Sequence, residues 1–152
     1  MIDGTLAAFL QEGLGVYVGT RNANLEPSGA RGIAVMVEEG GTHLVVYVAE
    51  VAVGRIQPDL EANGQIAVSV GRPRDDRACQ VKGVFAGARA ADEGERHRVV
   101  AQWECFRSAL EYIGISRQIT SGWVAWPAVA VRLKVTALFE QTPGPGAGAA
   151  IA

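Results

Sequence analysis

Four polar side chains stand out in this chain of 152 residues because each lies in a segment that otherwise reads as buried. Arg31 opens a run of glycine, isoleucine, alanine and valine, and Arg55 follows Val51-Ala52-Val53-Gly54. Gln80 and Lys82 flank Val81 in an extended segment, where alternate residues share a face. A buried cation is costly unless it is paired or hydrogen-bonded. A phosphate would satisfy Arg31 and Arg55 through bidentate contacts, for which a guanidinium is well shaped. The Gln80 amide both donates and accepts, which suits the polar edge of a heterocycle. The plainer alternative pairs each base with a nearby carboxylate such as Glu38, Glu50 or Asp59.

Other chemistries lack their residues. No hydrolytic triad is legible, and no catalytic side chain is assigned. His43 stands at a strand start and His97 on the polar side of a helix, positions that favour solvated histidines. Asp75-Asp76 lies between arginines in a loop and reads as a turn rather than an acid–base pair. The glycines near the end are followed by no Lys-Ser/Thr and open no helix, so they form no phosphate-binding P-loop. No glycine run lies between a strand and a helix in the dinucleotide-binding manner. Cys79 and Cys105 have neither metal-ligand spacing nor the density of a disulfide framework.

The totals narrow the class further. One domain of this length can bury a single core. With 49% hydrophobic but only 7% aromatic residues, that core must be built from valine, alanine, leucine and isoleucine. A net charge of −2 argues against nucleic acid as the main partner, which would leave a basic surplus. The opening Met1-Ile2-Asp3-Gly4-Thr5 lacks the basic and apolar regions of a signal peptide, and no apolar run is long enough for a bilayer. The expectation is a cytoplasmic protein without membrane partners.

The elements that must hold the four side chains follow from periodicity. Leu6, Phe9 and Leu10 repeat at helical spacing behind a capping Asp3 or Thr5, with Gly13 as the stop. Strands are predicted over 14–20, 29–37, 43–49, 65–70, 77–90 and 128–139, with a hairpin turn at Glu39-Gly40-Gly41-Thr42. A helix starting late, at Pro58, fits the segment 51–63. Asp92 and Glu95 form a capping box before Val99, Trp103, Phe106, Leu110 and Ile113, one apolar helix face ended by Gly114. The fold class is mainly β: a six-stranded antiparallel split barrel over residues 1–140, with a Pro/Gly-rich tail, 141–152, packing on the barrel or a partner subunit. Strands two and three are apolar on both faces, so a second cover is required: helices, another subunit or a planar cofactor. A homodimer with a large interface is expected.

Taken together, Val18-Gly19-Thr20-Arg21, Pro27-Ser28-Gly29-Ala30-Arg31-Gly32, Leu44-Val45-Val46-Tyr47-Val48, Arg55 with Leu60-Glu61-Ala62-Asn63-Gly64, and Gln80-Val81-Lys82-Gly83 carry a resemblance. In their order and spacing the chain resembles the pyridoxamine 5′-phosphate oxidase-like, FMN-binding split-barrel superfamily. The ending Gln141-Thr142-Pro143-Gly144-Pro145-Gly146-Ala147-Gly148 is similar to that of a small bacterial subgroup. The resemblance implies a homodimer with two FMN sites in the clefts between subunits. It implies that Arg31 and Arg55 hold the phosphate, that Tyr47 and Val48 edge the flavin, and that Gln80, with Lys82 beside it, reaches the ring. Trp123, Trp126 and the tail would cover the flavin from the other subunit. The function implied is an FMN-dependent oxidoreductase serving a small-molecule electron donor or acceptor. The alternative is a non-catalytic protein holding flavin, deazaflavin or haem as sensor or carrier. True pyridoxamine 5′-phosphate oxidases end in a basic, histidine-containing substrate segment; Val131-Arg132-Leu133-Lys134-Val135 departs from it, so that activity is not expected.

Overall fold

The computed structural model describes residues 1–151. Six strands, β1 (Gly15–Arg21), β2 (Pro27–Glu38), β3 (His43–Ala49), β4 (Gln65–Gly71), β5 (Ala78–Ala90) and β6 (Ala128–Glu140), close an antiparallel barrel in the order β1-β2-β3-β6-β5-β4. Five helices accompany them: α1 (Gly4–Leu10), α2 (Glu50–Val53), α3 (Gln57–Asn63), α4 (Glu93–Tyr112) and α5 (Arg117–Thr120). The mainly β class and the barrel are as the periodicity predicts. No helix among the described residues is long and apolar enough to cross a membrane.

Strand alternation fills the barrel with small branched side chains. Val16, Val18, Val35, Leu44, Val46, Val48, Val68, Val81, Val131 and Leu133 are fully buried in one cluster, which Phe9 and Leu10 of α1 and Leu60 of α3 join. The outward residues of β2, β3 and β6 form a second core: Ile33, Ala34, Val45, Tyr47, Ala49, Ala128 and Ala130 lie against Val99, Trp103, Phe106 and Leu110 of α4. The second cover that the two-sided strands demand is therefore this helix. Its apolar face ends one position early, since Ile113 is the exposed C-cap residue rather than a core contact.

β1 diverges from β2 after Gly32, leaving the rest of that β2 edge without a strand. Side chains complete it. The Gln102 amide of α4 accepts from the Val35 N–H at 3.1 Å and donates to the Val35 carbonyl at 2.9 Å, while the Gln11 Oε1 accepts from the Val37 N–H. α4 starts at the predicted capping box, with reciprocal Asp92 and Glu95 bonds. The segment 51–63 splits into α2 and α3, because Pro58 fits only the first turn of a helix. α5 and the exposed loop after it carry no apolar periodicity, so nothing in the sequence announces them.

The tail folds back on its own barrel. The Gly148 N–H donates to the Glu140 carbonyl, the Glu140 N–H to Ala149, and the Ile151 N–H to Leu138, so residues 148–151 run along the end of β6. Ile151 packs against the interior cluster.

Candidate functional site

Arg31 stands on the outer face of β2, directly opposite Tyr17 of β1. Its guanidinium carbon lies 3.7 Å from the centroid of the Trp123 ring, with Phe106, Tyr17 and Trp103 at 5.2, 5.6 and 5.8 Å. Four aromatic faces thus surround one cation, each contributing cation–π attraction. Yet its Nη1 is buried without a hydrogen-bond partner among the described residues. Burial lowers the Arg31 pKa from its ordinary value, against an opposing pull from Tyr17, though a guanidinium stays protonated at any ordinary pH. Of the carboxylates that could have paired it, Glu38 accepts from Arg132 at 3.0 Å and Asp59 accepts from Thr20 at 2.8 Å, while Glu50, at the start of α2, is exposed and makes no ion pair with it.

A cavity of about 200 Å³ opens on this guanidinium, lined by Ile33, Ala49, Ala52 and Trp103 on the barrel side and by Gly122, Trp123 and Val124 on the loop side. From Arg31 a row of outward residues crosses the strands in register: Arg31 faces Tyr17, Tyr17 faces Ser69, Ser69 faces Gln80, and Gln80 faces Phe139. The Gln80 amide donates to the Ser69 hydroxyl at 3.1 Å. Lys82 lies in the next row of the same face, opposite Ala67, with its ammonium 4.8 Å from the Phe139 ring. Three strand spacings separate Arg31 from Gln80, roughly 15 Å. Gly19, Ala67 and Ala137 leave this face shallow beside the row, where a groove of about 380 Å³ runs over Lys82 and Thr136.

No protein-family model and no curated protein matches the chain. Solved structures do match it. HupZ from Group A Streptococcus superposes with a TM-score of 0.58 at 15% identity, over 98% of this chain and 99% of that one. A candidate pyridoxamine 5′-phosphate oxidase from Lactobacillus delbrueckii gives 0.53 at 14%, over 88% and 89%. An FMN-binding protein from Syntrophomonas wolfei gives 0.51 at 12%, over 88% and 82%. The fold is the pyridoxamine 5′-phosphate oxidase-like split barrel. At such identities the likeness is one of fold alone.

Within this split barrel, the residues singled out in the sequence do not all converge. Arg31, Gln80 and Lys82 share the outer face. Arg55 lies in the turn between α2 and α3, one turn beyond Ala52 of the cavity wall, with its N–H bonded to the Ala52 carbonyl. It is exposed and makes no ion pair among the described residues, which corrects its reading as a buried cation: the helix pair turns it outward. Val48 points into the barrel and is fully buried in its interior cluster. Tyr47 points outward but lies beneath α4, 2% exposed, with its hydroxyl donated to Glu95. Neither side chain is exposed on the outer face that carries Arg31, Gln80 and Lys82. Trp126 packs into the outer core with Arg96 5.8 Å from its ring, away from the cavity lining, and Trp123 covers Arg31 of its own chain. Phe106 and Trp103 were visible in the sequence only as core residues of an amphipathic helix; nothing in their spacing reveals that a cation of β2 packs against them. Among the described residues, no cluster of histidine, cysteine or carboxylate could hold a metal ion.

Proposed function

We propose that this protein binds FMN and acts as a flavin-dependent oxidoreductase, with the phosphate held at Arg31 in a cleft that a second copy of the chain completes. The observation that carries this reading is the Arg31 Nη1, a buried donor with no acceptor inside a nest of aromatic rings. An unsatisfied buried donor costs about 1–3 kcal/mol, more when charged, and a phosphate oxygen removes that cost. The exposed Arg55, one turn from the cavity wall, is free to approach the same anion. The Gln80 amide lies far enough along the row for an elongated ligand to reach it with its other end. The fold is shared with an FMN-binding protein, which supports the reading without deciding it.

One subunit does not enclose such a ligand. The cavity of about 200 Å³ accommodates the anionic end alone, since sites that enclose a cofactor span roughly 300–1,000 Å³. The remainder would lie along the shallow outer face of β1, β4 and β5, where Tyr17 is 56% exposed and Val84 43%, until the second copy covers it. When bound, the flavin supplies hydride or electron transfer. The residues of the chain bind, orient and exclude water: Arg31 anchors, Trp103 and Phe106 dry the anchor, and Gln80 offers its amide.

A carrier or sensor is the second reading, favoured by the absence of any carboxylate, histidine, lysine or thiol among the cavity-lining residues. The test is an absorbance spectrum of purified protein after loading with FMN and removing the excess, for wild type, Arg31→Gln and Arg55→Ala. Retained flavin bands that Arg31→Gln loses support the site, and oxidation of NADH or NADPH by the loaded protein separates enzyme from carrier. A colourless wild type that gains no thermal stability from FMN moves the function to another ligand.

A further inference from the structure

We propose that the Pro/Gly-rich tail completes a second ligand pocket, beside the row from Arg31 to Gln80, that seats a flat ring bearing a carboxamide, the reactive end of a nicotinamide donor. Its purpose rests on the flavin reading, while its walls stand without it. The row of Tyr17, Ser69, Gln80 and Phe139 has a parallel neighbour two residues along each strand. There Gly15 pairs with Gly71, Gly71 pairs with Ala78, and the Gln141 N–H donates to the Ala78 carbonyl. Two glycines and an alanine leave a trough, roughly 7 Å from the first row. It forms a cavity of about 330 Å³, closed by Phe106 and Leu110 of α4 at one end and by Gln141 and Pro143 of the tail at the other. Tyr17 and Phe106, which line it, are also two of the rings around Arg31.

The walls are held in place. The Thr142 hydroxyl accepts from the Ala78 N–H at 3.0 Å, and the Glu140 carboxylate accepts from the N–H groups of Gln141 and Thr142 at 3.0 and 2.8 Å, which fixes the tail on β5. Phe106 lies so close to Gly15 that a Cβ there would stand 3.1 Å from its ring. Gly71 is the opposite case: a Cβ would meet nothing within 4 Å and would project into the open trough. The polar groups decide the occupant. Arg72, on the lip, gives Nε and Nη2 to Asp75 and Nη1 to Glu12, so it offers no anion site. The Gln141 amide and the Asp76 carboxylate, by contrast, have no hydrogen-bond partner among the described residues. A ring carboxamide carries two N–H donors and a carbonyl, enough to serve both, and the aromatic and proline walls suit the ring itself. The volume falls at the small end of the range for ligand sites, roughly 300–1,000 Å³.

The experiment is an NMR titration of the full chain with nicotinamide and with nicotinate, on wild type, Gly71→Leu and Asp76→Asn, with a melting curve and an FMN titration for each. Nicotinamide should bind wild type with a Kd of about 1 mM, ordinary for so few atoms, and shift the amide signals of Gly15, Gly71 and Ala78 first. Nicotinate sets a second carboxylate against Asp76 and should bind about tenfold more weakly. Asp76→Asn, which suits the φ of 58° held there, should narrow that gap to about twofold. Gly71→Leu should lose nicotinamide while melting and binding FMN as wild type does. Nicotinamide bound equally by Gly71→Leu, or nicotinate bound as well as nicotinamide by wild type, overturns the pocket. FMN binding without nicotinamide binding removes the pocket and leaves the flavin reading; nicotinamide binding without FMN binding keeps the pocket and sinks the flavin reading. Should Gly71→Leu melt early, Gly71→Val repeats the measurement with a shorter side chain.

Discussion

The Tyr47 hydroxyl donates to the Glu95 carboxylate at 2.7 Å, and through that one bond the third strand of the barrel holds the start of its longest helix. Glu95 also receives both terminal nitrogens of Arg89, at 2.7 and 2.8 Å, and the N–H of Asp92 at 2.9 Å. β3, the end of β5 and the cap of α4 therefore meet at a single carboxylate. Arg89, first among the causes, holds the Glu95 pKa down to about 2 from an ordinary 4.5, and burial pushes that of Tyr47 up.

Glu95 should make stability depend on acid. Its folded pKa is depressed, so its contribution is fully present above pH 4.5 and is lost as pH falls from there towards about 2. Glu95→Gln is expected to destabilise by on the order of 1–3 kcal/mol at pH 7, with the difference from wild type shrinking steadily below pH 4.5. Tyr47→Phe should cost about 1–2 kcal/mol over the same neutral range. Urea unfolding at a series of pH values measures both, and a pH-independent difference for Glu95→Gln would show the carboxylate to be unlinked to folding.

Gln102 is a second polar residue whose importance lies in geometry alone. Its amide closes both hydrogen bonds of Val35 where β2 has lost its neighbour. Gln102→Leu keeps the volume and leaves a buried N–H and C=O unpaired, so a loss of about 2–4 kcal/mol is expected. Hydrogen exchange at the Val35 amide should quicken more than at the Val46 amide across the strand pair. Equal change at both would mean that α4 has detached as a whole.

The barrel was legible because strand alternation and turn residues are local signals: His43 to Ala49 is a strand at both levels, and Asp92 with Glu95 caps a helix in the sequence as in space. Gln102 was not legible, since an amide among helix residues looks solvated until a strand edge 67 positions away proves to need it. The same holds for the site. Arg31 stands out as a cation in an apolar strand, but its four aromatic neighbours come from β1, α4 and the loop after α5, and only folding assembles them. Tyr47 shows the reverse case. The family resemblance places it beside a flavin, yet which face of the strand α4 covers is a tertiary fact.

Gly83 belongs to the run that the sequence marks beside Gln80, and packing explains it. A Cβ there would collide with the Lys134 carbonyl oxygen and lie 2.7 Å from the Leu133 Cδ1, at the place where the β5–β6 register shifts. The first obstacle is backbone and cannot rotate away. Gly83→Ala should therefore cost about 1–3 kcal/mol, more than the same change at the open Gly19, where nothing lies within 4 Å. Comparison of the two melting temperatures checks it, and equal shifts would show that β6 yields freely.

Arg31 sets function against stability. Its Nη1 lies buried without an acceptor, and desolvation weighs on the cation even as the aromatic rings favour it. Arg31→Met keeps the stem, removes the charge and leaves a thioether among Tyr17, Trp103, Phe106 and Trp123, a setting that suits sulfur. Replacing a buried charged group by an apolar one of similar shape is often neutral or stabilising. The variant should be no less stable than wild type, and by up to about 1 kcal/mol more stable, while losing FMN binding altogether. A residue kept only for the fold would behave the other way, and a clear drop in melting temperature would show that the cation–π contacts outweigh the orphaned donor. A protein that gains stability and loses its ligand would identify Arg31 as a position where the fold tolerates an unfavourable group because a ligand completes it.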